Sequence, residues 1–349
     1  MLHNKKLNRF IKKIETDARE ASSQDDIEHV ASKIEDYAKT SELQYHHTKA
    51  FYFTVFCGVV AAMLWWSGDG IRGFNHAVYD EYYVFITWGV WGLLIVSLIV
   101  LAKSHASKRT RIKDASAILL LKSHLLHNNL EQGRVSGGDL WRRWRSRFMG
   151  FNRGDESRYI IGYYTGHYDL EEIHIDYELF RFQFVVVRQV QVTTYNAVTK
   201  QNETKTEERR DTYYRYGIIT DFPYAKGMCI SGEGYTYSEP WTTSSERFNK
   251  LFTVTADDRM TCAKVLQPSV VLDFIDSMGE LAGMTLEINR NSALCLSCTT
   301  RLYPFYQEVT LSDTEDFLHA LRNPETNQRL MRVLHGIRTM IKFNDKNFA

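Results

Sequence analysis

The chain has 349 residues, enough for one large or two modest domains, and its 43 Lys and Arg against 42 Asp and Glu give a formal net charge of +1. This balance excludes a protein that binds nucleic acid through a positively charged surface as a whole. Any function that depends on positive charge must therefore come from a local cluster of basic residues. The five cysteines are odd in number and irregularly spaced, which excludes a regular disulfide framework and favours a reducing environment for the soluble part.

Residues 1–49 are expected to form cytoplasmic N-terminal helices. Apolar residues recur at helical spacing on both sides of the polar break "SSQDD", as Leu7, Phe10, Ile11 and Ile14 before it and Ile27, Val30, Ile34 and Tyr37 after it. Because Ser is a favoured N-cap, Ser22 or Ser23 is predicted to start the second helix.

Two uncharged apolar blocks, residues 50–68 and 82–102, predict a transmembrane hairpin over residues 50–102. Each block has about the 20 residues that a helix needs to cross a bilayer. Trp and Tyr lie near the outer ends, as they do at membrane interfaces: Trp65, Trp66, Tyr79, Tyr82 and Tyr83. The alternative is a pair of buried core helices, which rarely run this long without a charge.

The flanking charges predict the topology of the hairpin. The connector, residues 67–81, has Arg72 against three acidic residues. The second block is followed by a basic run: Lys103, Lys108, Arg109, Arg111 and Lys113. The positive-inside rule therefore predicts a multi-pass protein with both termini in the cytoplasm.

Residues 103–138 predict a stalk helix. Ile112, Leu119, Leu126 and Leu130 form an apolar stripe that continues to about Gln132, and Gly133, Gly137 and Gly138 follow it. Together with the N-terminal helices, this segment is expected to form an antiparallel coiled-coil stalk that extends roughly 40 Å at about 1.5 Å per residue. The alternative is two separate amphipathic helices that pack elsewhere.

Residues 158–349 predict a cytoplasmic α+β domain with mostly antiparallel strands and C-terminal helices. Alternating and β-rich runs predict strands, among them "LEEIHIDYELF", "RFQFVVVRQVQVTTY", "RRDTYYRYGIITDF", "LFTVTA", "MTCAKVL", "MTLEIN" and "ALCLSCTTRLY". "NAVTKQNETKTEE" is expected to be an exposed hairpin tip, and "ADDR" and "RNS" are expected to be turns. Helices are predicted from Pro268, from a capping box of Ser312 and Glu315, and from Asn323-Pro324.

Residues 139–157 form a basic and aromatic junction, "DLWRRWRSRFMGFNRGD". Trp141, Trp144 and Phe148 are spaced for one face of a short helix, with Arg142, Arg143, Arg145 and Arg147 on the rest. A membrane-surface helix, a nucleic-acid site or a packed helix would each use this composition. Packing is favoured, with the arginines paired to acidic side chains of the N-terminal helices: Glu15, Asp17, Glu20, Asp25 and Asp26.

The sequence predicts no catalytic residue, no cofactor and no metal ion. Cys295 and Cys298 form a lone C-x-x-C without the two further ligands that zinc needs. On one strand face, His174, Asp176 and Glu178 could hold a divalent cation or simply face solvent. The glycines after Gly227 are not followed by the Lys-Ser/Thr of a phosphate-binding loop.

The order of segments resembles an uncharacterised bacterial membrane-protein family, domain of unknown function 3137, whose genes often lie beside a gene for a LemA-type protein. The likeness is carried by "RYGIITDFPYAKGMCI", with Asp221, Phe222, Lys226 and Gly227 at the positions of the family motif, and by "FNKLFTVTADDRMTCAKVLQPSVVLDFIDSM". The turn before Lys226 is one residue shorter than in the family. The resemblance implies a bacterial inner-membrane location and a LemA-type partner, and a structural role for the motif.

These features predict a two-span inner-membrane protein that presents a cytoplasmic α+β domain as a non-enzymatic binding or scaffold module for a protein or lipid partner. One alternative is a membrane-anchored enzyme or ligand sensor with a site in the β-rich domain, near Asp221 or His174. A second alternative is nucleic-acid binding through residues 142–147. The oligomeric state is left open by the sequence.

Overall fold

The computed structural model describes residues 2–46, 49–70, 76–196, 200–231, 237–302 and 309–345. The described part is an α+β fold with a large antiparallel sheet, so the predicted fold class is confirmed at this level. The chain forms two compact units, Met1–Leu126 with Tyr306–Glu325, and His127–Phe305 with Thr326–Ala349. We refer to them as unit 1 and unit 2.

Unit 1 is helical. Its helices are α1 (Leu2–Glu20), α2 (Gln24–Thr40), α3 (Lys49–Gly70), α4 (His76–His127) and α9 (Thr314–Arg322). Ser23 caps α2 through a capping box with Asp26, which confirms one of the two predicted caps. The predicted domain 158–349 thus contributes one segment, which contains α9, to unit 1.

One hydrophobic core joins α1, α2, the C-terminal half of α4 and α9. Its fully buried members include Leu7, Ile11, Ile14, Ile34, Leu119, Phe317 and Leu321. Arg111 of α4 donates to Glu15 of α1 at 2.6 Å, and Arg322 of α9 contacts Glu28 of α2 at 3.0 Å. The N-terminal helices and the stalk segment of α4 therefore pack together, with α9 as a partner that the periodicity did not predict.

The stalk helix is shorter than predicted at its C-terminal end. α4 ends at His127, and Leu130–Gln132 form a strand, β1, instead of another helical turn. Asn129 has φ +53°, a left-handed conformation that Asn tolerates and that ends a helix. Leu130 is buried as expected, but opposite Gly166 on the next strand.

By length and composition, one helix among the described residues could cross a membrane, Trp88–His127 within α4, and Phe51–Met63 within α3 is a shorter apolar helix. The two-helix hairpin is therefore not confirmed as a pair of spans. Residues 71–75 of the predicted connector lie outside the described residues.

Unit 2 contains the sheet. Its strands are β1, β2 (Glu156–Leu170), β3 (Ile173–Asn196), β4 (Gln201–Asp221), β5 (Met228–Ser231), β6 (Glu239–Trp241), β7 (Thr253–Ala256), β8 (Thr285–Ile288) and β9 (Ala293–Cys298). Their order is β1-β2-β3-β4-β9-β8-β5-β7-β6, with every neighbouring pair antiparallel. The helices are α5 (Gly137–Arg145), α6 (Glu246–Leu251), α7 (Arg259–Val265), α8 (Pro268–Met278) and α10 (Gln328–Asp345).

The structure corrects three local predictions in the C-terminal half. "MTCAKVL" is not a strand but lies in α7, because the Asp258 carboxylate caps the backbone N–H groups of Met260 and Thr261. The N-cap of α9 is Asp313 rather than Ser312. The last helix, α10, starts at Gln328 instead of Asn323-Pro324, and the Asn327 side chain accepts from the backbone N–H of Leu330 at 3.1 Å.

The expected hairpin tip, residues 196–208, is mostly strand where the structure describes it, and residues 197–199 lie outside the described residues. β4 begins at Gln201, and β3 and β4 pair continuously from Tyr177↔Thr220 out to Asn196↔Gln201. The composition suggested a loop because these residues are polar, and residues 200–202 and 204–208 are indeed exposed. A two-stranded ribbon with both faces in solvent does not need the alternation of apolar and polar residues that is typical of a half-buried strand.

Candidate functional site

The aromatic half of the junction is packed into the core of unit 2. Trp144 and Phe148 are buried, together with Phe151, in a cluster with Phe180 and Phe182 of β3. The ring centroids of Trp144 and Phe180 lie 5.4 Å apart. Buried rings cannot stack on nucleic-acid bases or enter a lipid interface, so in this structure these two side chains serve packing.

The helix of the junction is shorter than its spacing suggested. α5 ends at Arg145, and Phe148 lies beyond it, ahead of a short 3-10 helix, Met149–Asn152. Trp141 is half-buried, and its indole N–H donates to the carbonyl of Phe151 at 3.0 Å. The chain therefore turns back after α5, and this turn brings Phe148 and Phe151 under the helix.

The arginines of the junction find partners close by in unit 2, which corrects the predicted pairing with the N-terminal acids. Arg142 pairs with Asp139 at 2.6 Å, and Arg143 lies 3.6 Å from Glu178. Arg145 donates to the side chain of Asn152 at 3.0 Å. In unit 1, Glu15 pairs with Arg111 and Asp17 pairs with Lys33 at 2.7 Å. Arg142 and Asp139 are three residues apart on one face of α5, Asn152 follows the turn after α5, and Glu178 lies on β3, so each partner belongs to the same unit as the junction.

Two polar residues that sequence reasoning missed fasten the junction to the sheet. The Glu287 carboxylate of β8 accepts from the backbone N–H of Met149 at 2.9 Å. The Asn289 side chain donates to the carbonyl of Arg147 at 3.2 Å. Both are buried, and burial raises the pKa of Glu287 to about 7. The sequence feature that could have indicated this contact is the single Glu inside the apolar strand "MTLEIN".

The cysteines of the C-x-x-C sequence are both buried in β9 and free. Cys295 lies opposite Ile219 and Cys298 opposite Tyr216 on β4. Burial raises the pKa of Cys298 to about 12, which keeps its thiol protonated and poorly nucleophilic. Among the described residues, no group of three His, Cys, Asp or Glu side chains is arranged to hold a metal ion.

His174 lies in an exposed polar cluster at the end of the β2–β3 hairpin. Its ring nitrogens contact Asp169 and, at 3.1 Å, Asp176. The hydrogen bond with Asp169 is the main cause that raises the pKa of His174. Glu178, the third member of the predicted face, instead accepts from the Tyr163 hydroxyl at 2.7 Å. The predicted cation face is therefore divided between two hydrogen-bonded groups.

The motif residues lie around a tight turn between β4 and β5. Phe222 is buried, and its backbone N–H donates to the carbonyl of Ser292 at 2.8 Å, whereas Asp221 and Lys226 are exposed. Gly227 has φ +62°, and a Cβ there would come within 2.3 Å of the Asp257 carboxylate. A side chain at this position would therefore be strained and crowded.

The Asp257 carboxylate explains why space beside Gly227 is limited. It accepts from Nε of Arg290 at 2.8 Å and from a second guanidinium nitrogen at 3.0 Å. This two-point contact ties the turn after β7 to the turn between β8 and β9. Three turns therefore meet at Gly227, and the geometry gives the motif a role in holding them together.

The outer part of the β3–β4 hairpin is an exposed, extended feature of unit 2. β2 pairs with β3 only as far as Val185, and β9 pairs with β4 only from Tyr216 onward. We call residues 187–210 the β3–β4 arm. At about 3.3 Å per residue, the paired part of the arm extends roughly 30 Å beyond the rest of the sheet.

The base of the arm is fixed by the acidic end of the junction. The Asp155 side chain accepts from the backbone N–H of Val187 at 2.9 Å, and Glu156 accepts from Arg210 at 3.2 Å. Beyond these contacts, the sheet topology gives the arm no further neighbouring strand among the described residues. Its outer edges therefore present backbone donors and acceptors to solvent.

Comparisons with protein-family models, curated proteins and solved structures found no match. The resemblance of residues 215–230 to domain of unknown function 3137 therefore stays a prediction.

Proposed function

We propose that this chain is a two-span, non-enzymatic protein of the bacterial inner membrane that presents unit 2 in the cytoplasm as a binding or scaffold module for a protein partner. The basic residues that follow the apolar part of α4 support an orientation with both termini in the cytoplasm.

The observation that carries the membrane anchor is the exposure of large apolar side chains on α3 and α4. Such side chains point outward along both helices: Tyr52, Phe53, Phe56, Met63, Trp88, Leu93, Ile95, Val96, Leu98, Ile99 and Val100. A continuous apolar surface of this size is unfavourable in water but suits the hydrocarbon of a bilayer.

The surface between α3 and α4 supports two spans rather than one. Thr54, Cys57 and Ala61 are buried on one face of α3. A Cβ on Gly58 would lie 3.9 Å from the Leu94 side chain of α4. Small residues let membrane helices approach closely, so a hairpin would use this face of α3 for packing and leave its large side chains to lipid.

The less exposed residues of α4 follow a matching stripe. They are Val90, Leu94, Ser97, Leu101, Ser104 and Lys108, separated by alternating steps of four and three. This spacing averages 3.5 residues and is typical of a left-handed coiled coil. It supports a paired helix that continues from the membrane into the stalk.

The β3–β4 arm supports a protein-binding role for unit 2. A two-stranded ribbon is at best marginally stable in water, and its open edges can pair with an added strand. Charged residues such as Lys205, Glu207 and Arg209 lie exposed along it and oppose nonspecific edge-to-edge association. A partner strand would satisfy the outer backbone groups of the arm.

Alkaline carbonate extraction tests the anchor. The protein should stay with the membrane pellet, because two apolar helices hold it independently of surface charge. A cytoplasmic membrane-associated protein held only by charge serves as the control that is released. Recovery of this chain in the supernatant would contradict the anchor.

Site-specific photocrosslinking in intact cells tests the arm. Crosslinkers at Gln191 and Thr206, which lie opposite each other on the arm, should capture the same protein. Crosslinkers at Met260 and Leu272, also exposed in unit 2, serve as matched controls and should not capture it. A LemA-type membrane protein is the first candidate to test. Equal capture at all four positions would count against the arm as the binding surface.

A further inference from the structure

We propose that the membrane-facing end of unit 1 binds the headgroups of anionic phospholipids. The binding surface consists of Lys5, Lys6, Arg9, Lys103, Lys108 and Arg109, and we call it the basic collar. This inference rests on the membrane anchor proposed above and adds the class of lipid that the anchor recognises.

Hydrogen bonds hold the first turn of α1 beside the segment that leads into α3. A ring nitrogen of His3 lies 3.0 Å from the carbonyl of Gln44. The Asn4 side chain donates to the carbonyl of His46 at 3.1 Å and accepts from its backbone N–H at 3.0 Å. Because α3 starts at Lys49, these contacts place Lys5 and Lys6 near the start of the apolar helix.

Tyr45 brings α4 to the same place. Its hydroxyl donates to the side chain of Asn8 on α1. The ammonium nitrogen of Lys108 lies 5.7 Å from the centre of the Tyr45 ring, within the range of a cation–π contact. One aromatic side chain thus connects the basic residues of α1 with those of α4.

The collar has an excess of uncompensated positive charge. The sequence has no acidic residue at positions 2–14 or 102–113. Glu42, the acidic residue in the connecting segment, lies 3.3 Å from His46. Within the described part of the chain, no ion pair involves a collar residue, whereas Arg111, one turn beyond, pairs with Glu15. Unpaired basic groups of this kind attract anionic headgroups.

The position of the collar along α4 matches the headgroup layer. Ile99 and Val100 are the last large exposed apolar side chains of the helix. Lys103 follows within one turn and Arg109 after about two more turns, roughly 5–15 Å further along the axis. The polar layer of a bilayer is about 5–8 Å thick on each side, and long basic side chains can reach back into it.

The test uses the full-length chain in a neutral detergent and two short-chain lipids, dihexanoyl phosphatidylglycerol and dihexanoyl phosphatidylcholine. Native mass spectrometry counts the bound lipids during titration. We expect phosphatidylglycerol to bind roughly tenfold more tightly, and this preference to weaken as salt rises, because the contacts are electrostatic.

Two triple variants on α1 distinguish an effect of the collar residues from an effect of the net charge of the chain. Lys5→Gln, Lys6→Gln and Arg9→Gln should together reduce the preference at least roughly fivefold. The matched control changes the exposed residues Lys12, Lys13 and Arg19 to Gln, removes the same charge from the same helix and should keep the preference. If the first triple variant fails to fold, Lys103→Gln with Arg109→Gln provides the same test on α4.

Three results would overturn the proposal: equal binding of the two lipids by the unmodified chain, equal loss in both triple variants, or glycerol phosphate binding as tight as the lipid, which would indicate a free-phosphate site. Carbonate extraction distinguishes failure of the collar proposal from failure of the membrane-anchor proposal. A chain that stays in the membrane but shows no lipid preference disproves the collar alone.

Discussion

The two halves of α4 expose opposite kinds of residue although they belong to one helix. Between residues 88 and 100 most of the large apolar side chains point outward, and Trp88 is 75% exposed. Between residues 112 and 127 the apolar side chains, such as Leu119, are buried, while Lys113 and Asp114 face solvent. A helix that is apolar all round suits lipid, and an amphipathic one suits water. The change between them marks where the environment of α4 is expected to change.

The largest predicted difference is between two tryptophans, one buried in unit 2 and one exposed on α4. Trp144 is 0% exposed in the aromatic core of unit 2, and Trp144→Ala should cost about 3–5 kcal/mol of folding stability. Trp88→Ala removes the same side chain from an outward position and should leave unit 2 unchanged. Hydrogen exchange of β2–β4 in the detergent-solubilised chain measures both effects.

A packing role for Trp144 also requires that Trp144→Ala stays in the membrane after carbonate washing, because the anchor lies in another unit. Unchanged exchange protection of β2–β4 in Trp144→Ala would show that the junction does not support the sheet. Release of this variant from the membrane would instead indicate a lipid-binding role for the junction.

Two leucines of α4 repeat the test within one helix. Leu119→Ala should cost about 2–5 kcal/mol, because it leaves a cavity in the core of unit 1. Leu98→Ala changes a side chain that is 49% exposed and should cost much less. Thermal unfolding of the two variants in the same detergent gives the difference. Equal losses would mean that residue 98 is packed against protein rather than facing lipid.

Glu287 is an ionisable side chain that is buried in strand β8. Burial raises its pKa from the ordinary 4.5 to about 7, so the folded chain keeps a proton that the unfolded chain releases in this interval. The stabilising contribution of the neutral form is therefore complete below about pH 4.5 and is lost as pH rises through about 7. The full effect is at most about 3 kcal/mol.

Glu287→Gln should remove this pH dependence, because the amide stays neutral and its oxygen can still accept from the N–H of Met149. The unfolding free energies of the two chains are compared at pH 5 and pH 8, with the exposed Glu208→Gln as the control. The variant should gain stability over the unmodified chain at pH 8. A difference that is the same at both pH values would mean that Glu287 is ionised throughout.

Local patterns predicted the elements whose signals are local. The helical spacing of Leu7 and Ile11 and the Ser23 cap predicted α1 and α2, and Pro268 predicted the start of α8. α7 was missed because seven residues are too few for a clear period, and the cap at Asp258 decided between helix and strand. Short apolar runs remain ambiguous when a single side-chain cap determines the outcome.

The candidate sites were harder to predict than the helices and strands, because the sites are built from residues that are far apart in the sequence. The spacing of Trp141 and Trp144 predicted a short helix, and the structure has one. The carboxylate that holds Met149 lies 138 residues further along the chain, and no local pattern connects the two. The strand that enters the arm, through Tyr195, was predicted, but residues 201–208 were expected to be part of the tip and instead belong to β4, because their polar side chains carry no hydrophobic alternation.

The smallest predicted effect is the loss of a serine N-cap, which is tested once in each unit. Ser23 caps α2 in unit 1, and Ser245 caps α6 in unit 2, where it accepts from the backbone N–H of Phe248 at 3.3 Å. Each change to Ala should cost about 1 kcal/mol. Because the units have separate cores, Ser23→Ala should increase hydrogen exchange mainly in α1 and α2, and Ser245→Ala mainly around α6. If either variant raises exchange equally across both, the two units unfold together, and stability measured for one would then report on both.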